Sequence, residues 1–242
     1  MAIGTPVLCL NEFNGFTNSG SPSTFTSAIA AGSLIVVIIE AFQNPDNTVT
    51  NVTDSAGNTY LLVQNPATSG IYGQCIAYCV NSPNPITTSS TITITNSDSS
   101  GLSFAVYSVS GANGGLDQSV TNVMQASGSF TTASATTGTL SSSSEIAFAV
   151  YTFLGTTLTG FTESTGFTGL DAGAGGQTPE STGYNMAYNI VSTNAAVTYA
   201  PTWTPGSGYV LLLATFAATG GGGGGAITLT LTGVKATGVT IG

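Results

Sequence analysis

The sequence predicts an all-β chain, an antiparallel β-sandwich of jelly-roll-like type with a weak internal duplication and a C-terminal extended arm. Three observations predict it. Apolar residues recur with period two, or in short unbroken runs, between clusters of Gly, Pro, Asn and Ser. β-Branched and aromatic residues fill those runs, as pleated, packed surfaces favour. No window carries a 3.6-residue apolar stripe with charged outer positions, so no amphipathic helix is expected.

The elements follow in order. Leu34, Ile35, Val36, Val37, Ile38 and Ile39 form an unbroken apolar run, which reads as a strand buried on both faces. Further strands are expected at 59–63, 76–80, 91–95, 104–109, 145–153, 184–191 and 209–216, with a dozen or so in all. Three blocks recur in one order. Residues 73–80 align without gaps on 183–190, and 102–109 match 209–216. Residues 34–42, preceded by Phe25, Thr26 and Ser27, match 145–153, preceded by Phe130, Thr131 and Thr132. The body, 1–219, is therefore expected to hold a repeat at 24–112 and 129–219. One shared core is favoured over two small sandwiches, because each half alone has few strands per sheet.

The tail differs. Residues 220–225 are six glycines, a linker with a r.m.s. span of about 14 Å. In the arm, 226–242, Ile227, Leu229 and Leu231 alternate with threonines, long enough for one strand. Such a strand needs a sheet edge, in its own body or a neighbour's. The chain's one cation, Lys235, lies in this arm, whereas the body carries the acids, which suits docking on an acidic neighbour. Ile227, Leu229, Leu231 and Lys235 are the candidate assembly residues.

Charge narrows the function. Ten acids, one Lys, no Arg and no His leave a net charge of −9, with 5% charged residues. Phosphate neutralisation is out of reach, so no nucleic-acid partner is expected. Histidine-based catalysis and imidazole metal sites are excluded outright. The most apolar run is six residues long and ends at Glu40, too short to span a membrane. The first ten residues carry no basic group and resemble no secretory leader. Cys75 and Cys79, four apart on one strand, lie about 13 Å apart on one face, beyond disulfide reach. With Cys9 they are expected as buried free thiols.

Few residues suggest chemistry. Glu163, Asp171 and Glu180 share the Gly-rich stretch 160–183, but solvated loop acids are the ordinary reading and no catalytic group is expected. Residues 54–58 and 171–175 each offer one carboxylate and some carbonyls to Ca²⁺; neither has the several acids of a dedicated loop. A tight turn, with Asp54 bonding its own backbone and Gly57 at positive φ, is favoured there, so no cofactor is expected. The six glycines lack the Gly-Lys-Ser/Thr ending of a phosphate loop. Trp203, between Pro201 and Pro205, and Tyr199 form the candidate sugar-stacking platform, with Tyr60, Tyr72 and Tyr184 as further members. The competing role for Trp203 is a core anchor.

The order Thr53-Asp54-Ser55-Ala56-Gly57-Asn58-Thr59-Tyr60, Ala77-Tyr78, Phe104 to Gly111 and Leu116-Asp117 resembles a β-sandwich module of phage virion structural proteins, also seen in bacterial surface proteins. There a D-x-x-G-N-x-Y turn precedes an a-x-x-Y-S-G strand and an L-D turn. The resemblance covers roughly 24–218. Residues 231–239 look like the L-T-G-V-x-A-T-G repeats of phage head and tail proteins, here in one copy. The resemblance implies a non-enzymatic capsid decoration (cement) or head-fibre subunit on the virion surface, assembled in the host cytoplasm. Its implied partners are the major capsid or other virion proteins and further copies of itself, with host glycans secondary. The alternatives are an extracellular carbohydrate-binding or adhesin module and a self-assembling filament subunit.

Overall fold

A strand with apolar side chains on both faces must lie between two covering layers, and the unbroken run at 34–39 sits in that position. The computed structural model describes residues 2–12, 17–41, 48–65, 73–97, 101–124, 130–154, 160–170, 184–204 and 208–218. Among them there are strands and no helix. The first half contains β1 (Val7–Asn11), β2 (Thr17–Asn18), β3 (Pro22–Thr24), β4 (Leu34–Ala41), β5 (Val49–Asp54), β6 (Leu61–Asn65), β7 (Gly73–Cys79), β8 (Thr91–Asn96) and β9 (Gly101–Val109). The second contains β10 (Gly115–Met124), β11 (Ala135–Thr136), β12 (Glu145–Leu154), β13 (Gly160–Thr162), β14 (Thr168–Gly169), β15 (Tyr184–Val191), β16 (Thr198–Tyr199), β17 (Thr202–Thr204) and β18 (Gly208–Ala217). Each of the eight expected runs overlaps one of these strands.

The large sheet of the first half has the order β1-β9-β4-β7-β6, with β2 added beside β9; that of the second is β10-β18-β12-β15-β14. Strand for strand, these are the same order. Each large sheet is backed by smaller pieces: β3-β8-β5 in the first half, β11-β16 and β13-β17 in the second. The counterpart of β8 is broken in two at Ala200 and Pro201, since Pro has no N–H for the ladder. All named pairings are antiparallel.

The two large sheets face one another through equivalent residues. Leu34, Val36, Ile38, Ile76, Tyr78, Ala105 and Tyr107 meet Ile146, Phe148, Val150, Met186, Leu212, Ala214 and Phe216 in a central apolar layer. The opposite face of the first sheet packs on its small sheet through Ile35, Val37, Ile39, Cys75, Ala77, Cys79, Ile92 and Ile94. The opposite face of the second packs through Ala147, Ala149, Tyr151, Leu211 and Leu213 on Tyr199 and Trp203. The buried residues thus form three layers, the central one shared by both halves and the outer two belonging to one half each. This explains the unbroken runs: β4, β12 and β18 are covered on both sides.

Two details of the sequence alignment change. Ile38 pairs with Ile76 and Ala105, while Val150 pairs with Met186 and Leu212, so Leu34 corresponds to Ile146 and not to Glu145. A one-residue slip would turn every side chain of β12 to the wrong face. Leu116 and Asp117, expected at a turn, sit instead at a bulge in β10, where the register moves between Leu116 and Gln118. An equivalent irregularity in β1 falls between Leu8 and Leu10. The linker 220–225 and the arm lie outside the described residues.

Phe216 joins the halves, with its ring 5.1 Å from Tyr78 and 6.2 Å from Phe148. Phe216→Ala should cost about 3–5 kcal/mol in urea unfolding, whereas the exposed Leu61→Ala should cost about 1 kcal/mol or less.

Candidate functional site

The candidate sugar platform is internal. In β17, Thr202 and Thr204 point outward and Trp203 points onto the second large sheet, where it is 2% exposed. Its indole lies 4.8 Å from Tyr151 and 5.6 Å from Tyr209. Tyr199 is fully buried, 4.8 Å from Phe167. Neither ring offers a face to an external sugar, which corrects the platform alternative for both residues and leaves Trp203 in its other expected role, a core anchor. The alternation Thr-Trp-Thr was the signal for an inward indole. Tyr60 is also buried, Tyr72 lies outside the described residues, and Tyr184 sits in β15 with its side chain outside the description.

The turn after β5 is built around one carboxylate. Gly57, at φ +83°, adopts a conformation that L side chains rarely take, and its amide donates to the Asp54 carbonyl at 3.2 Å. The Asn58 amide donates to Asp54 Oδ1 at 3.1 Å. Asp54 Oδ2 accepts from Asn58 Nδ2 at 2.9 Å and from the Tyr60 hydroxyl at 2.8 Å. Asn58 Oδ1 in turn accepts the Asn84 amide at 3.0 Å, tying this turn to the neighbouring one. Burial and then the Asp54 charge hold the Tyr60 hydroxyl far above its ordinary range, so it stays a donor.

The same device recurs after β13. Thr53-Asp54-Ser55-Ala56-Gly57 is matched by Thr162-Glu163-Ser164-Thr165-Gly166, with Gly166 at φ +84°. Glu163 Oε1 accepts the Ser164 amide at 3.1 Å, and Oε2 accepts Asn185 Nδ2 at 2.9 Å. Asn185 Nδ2 also donates to the Tyr199 hydroxyl at 2.9 Å. Burial first, then Glu163, raises Tyr199 well above the usual tyrosine range. A buried tyrosine beside a turn carboxylate thus appears twice, Tyr60 just before β6 and Tyr199 in β16. The repeat of T-[D/E]-S-x-G is the sequence signal that would have found it. Asp171 and Glu180, grouped with Glu163 on sequence grounds, lie outside the described residues.

Two further acids are buried among β-strands. Glu40 stands across the ladder from Gln74, on the face turned to the second sheet. Burial pushes its carboxyl up to about 7, against a hydrogen bond from Thr152 that lowers it. Gln74 Nε2 donates to Thr152 Oγ1 at 2.8 Å and to the Val210 carbonyl at 3.2 Å, so these polar groups bridge the halves at one end of the central layer. Glu145 is fully buried at the start of β12. Burial raises it to about 7, opposed by Thr215 and the Ser142 amide, while neighbouring Asp117 raises it further. Glu145 Oε1 accepts that amide at 3.1 Å, and Asp117 Oδ2 accepts the Ser141 amide at 2.9 Å. Paired carboxyls are acid–base machinery when substrate can reach both. Glu145 has no exposed surface, so the pair acts as a clasp between the 141–145 corner and the bulge of β10.

Cys9, Cys75 and Cys79 are buried free thiols, as their spacing indicated, and burial pushes all three up. Among the described residues no group of three or more His, Cys, Asp or Glu is placed to hold a metal ion. Ile227, Leu229, Leu231 and Lys235 lie outside the described residues. On the described surface, Val7 in β1, Leu61 in β6 and Ile190 in β15 are the exposed large apolar side chains. Compared with family models, curated proteins and solved structures, the chain matches none.

Tyr60→Phe removes an O–H donated to a carboxylate and should cost about 1.5–3 kcal/mol by urea denaturation. Glu40 and Glu145 bind a proton more tightly folded than unfolded. Stability should therefore be highest at and below their ordinary value of 4.5, fall as pH rises towards 7, and level off above it. Urea midpoints measured across that window check this, and Glu40→Gln should flatten the slope.

Proposed function

We propose that the chain is a non-enzymatic phage virion structural protein, a capsid decoration or head-fibre subunit built from two jelly rolls stacked sheet on sheet. The observation that carries this reading is the strand order. Leaving aside the short β2 and counting the broken β16/β17 as one, each half has eight principal strands. They lie 1-8-3-6-5 in the large sheet and 2-7-4 in the facing layer. That is jelly-roll order with the fifth strand moved beside the sixth. Jelly rolls serve viral capsids and lectins among others, so the fold supports the reading by analogy.

The chemistry supports it independently. A body with 5% charged residues meets its neighbours through hydroxyl, amide and apolar contacts, weak singly and strong when repeated on a symmetric lattice. Asp54, Glu163, Glu145 and Asp117 serve turns and corners, which leaves them poorly placed for catalysis. Three reduced thiols suit assembly in the host cytoplasm before the particle carries the subunit outside. The coat protein and further copies of the chain are the partners in this reading. Host-glycan contact, without Trp203 and Tyr199 at the surface, is secondary.

Co-sedimentation of the purified chain with phage heads assembled without it tests the reading. Binding should saturate and change little from about 0.05 to about 0.5 M salt, because few ion pairs contribute. Absence of saturable binding to heads, or binding abolished by salt, would overturn it.

A further inference from the structure

We propose that residues 226–232 add to the outer edge of β6 in the same molecule, as a sixth principal strand of the first large sheet running parallel to β6. The proposal goes beyond the virion reading and does not depend on it.

The site is an edge left open. β6 ends its sheet; its inner side pairs with β7 from Leu61 to Asn65, and among the described residues nothing pairs with its outer side. Natural edges are commonly blunted by charge, proline, bulges or a covering segment. β6 has no charge, no proline and an unbroken register, and Leu61 is 58% exposed. The other edges of the two large sheets are treated differently, β10 carrying a bulge between Leu116 and Gln118 and a charge at Asp117. β1 is bulged, and its Cys9 carbonyl accepts the amides of Thr26 and Ser27. β14, the counterpart of β6, is two residues long.

The occupant follows from where the described chain stops. Leu61 pairs with Tyr78, the Tyr78 ring touches Phe216, and Phe216 is two residues before Ala218. The chain therefore leaves the second sheet beside the Leu61 end of β6. Residues 219–225 supply seven residues, a r.m.s. span of about 15 Å and a reach of about 25 Å. Stacked sheets lie about 10 Å apart, so the step to the first sheet is within range. A segment entering there runs along β6 in the same direction. Its pattern also fits: Leu61 and Val63 share the face of the central layer, and Ile227, Leu229 and Leu231 would extend that face while threonines take the other. A short glycine link gives the chain's own segment an effective concentration in the millimolar range, well above that of a second copy in dilute solution.

Cysteine pairing tests it on the full chain. Leu61→Cys is combined in turn with Ile227→Cys, Leu229→Cys and Leu231→Cys, and each protein is oxidised mildly at low concentration. At least one pair should form an intramolecular disulfide, seen as a monomer with altered non-reducing mobility. Disulfide-linked dimers as the main product, or no disulfide in any pair, would overturn the proposal. Amide exchange across 61–65 gives a second readout: ending the chain at 219 should accelerate it tenfold or more, to be judged against unchanged exchange in β4. Equal rates at 61–65 in both proteins would also overturn it. Head binding is a separate readout, so either idea can fail alone.

Discussion

The central apolar layer is the constraint on which the rest of the molecule depends. A five-stranded sheet with one wet face needs an alternating sequence, and β4, β12 and β18 do not alternate. Once their second faces are apolar, each large sheet must be covered twice, once by its own small sheet and once by the other half. The equivalent faces of the two halves satisfy one another, as a two-fold interface does between subunits. Where a polar side chain enters this layer it ties the halves together, as where the Gln74 amide nitrogen reaches Thr152 and the Val210 carbonyl.

The same constraint accounts for much of the odd composition. With four layers stacked, a large share of the chain is interior, and the remaining surface is covered by Thr, Ser, Asn and Gly. The charges that persist in the described body are concentrated where the chain changes direction. Asp54 and Glu163 collect backbone amides and tyrosine or asparagine side chains at two equivalent turns, while Asp117 and Glu145 fasten a corner. These carboxylates do locally what a helix cap or disulfide does elsewhere: they fix a loop without a large core.

How much of this was legible depended on burial pattern. β4, β12 and β18 were readable because double burial leaves an unbroken apolar signature. β8 was readable because Ile92 and Ile94 alternate with outward threonines. β1, β5 and β10 were not, since an edge or small-sheet strand carries a half-polar sequence close to that of a loop. The repeat was visible in its blocks but misaligned by one residue at β12, because alternation on both faces gives no parity signal; only the pairing with β15 and β18 decides it. For Trp203 the flanking prolines suggested a loop, which left a sugar platform open beside the core-anchor role, whereas its threonine neighbours already marked the inward position it takes. The acidic turns were read correctly for Asp54 and missed for Glu163, where Asp becomes Glu and the following Asn becomes Phe.

If the central layer welds the halves, neither should persist without the other. Trp203, the chain's one tryptophan, reports the second half by fluorescence, and amide exchange in β4 reports the first. Followed together through urea denaturation, the two probes should give the same midpoint and a single cooperative transition. Two separated midpoints, with one half protected after the other has unfolded, would contradict the account.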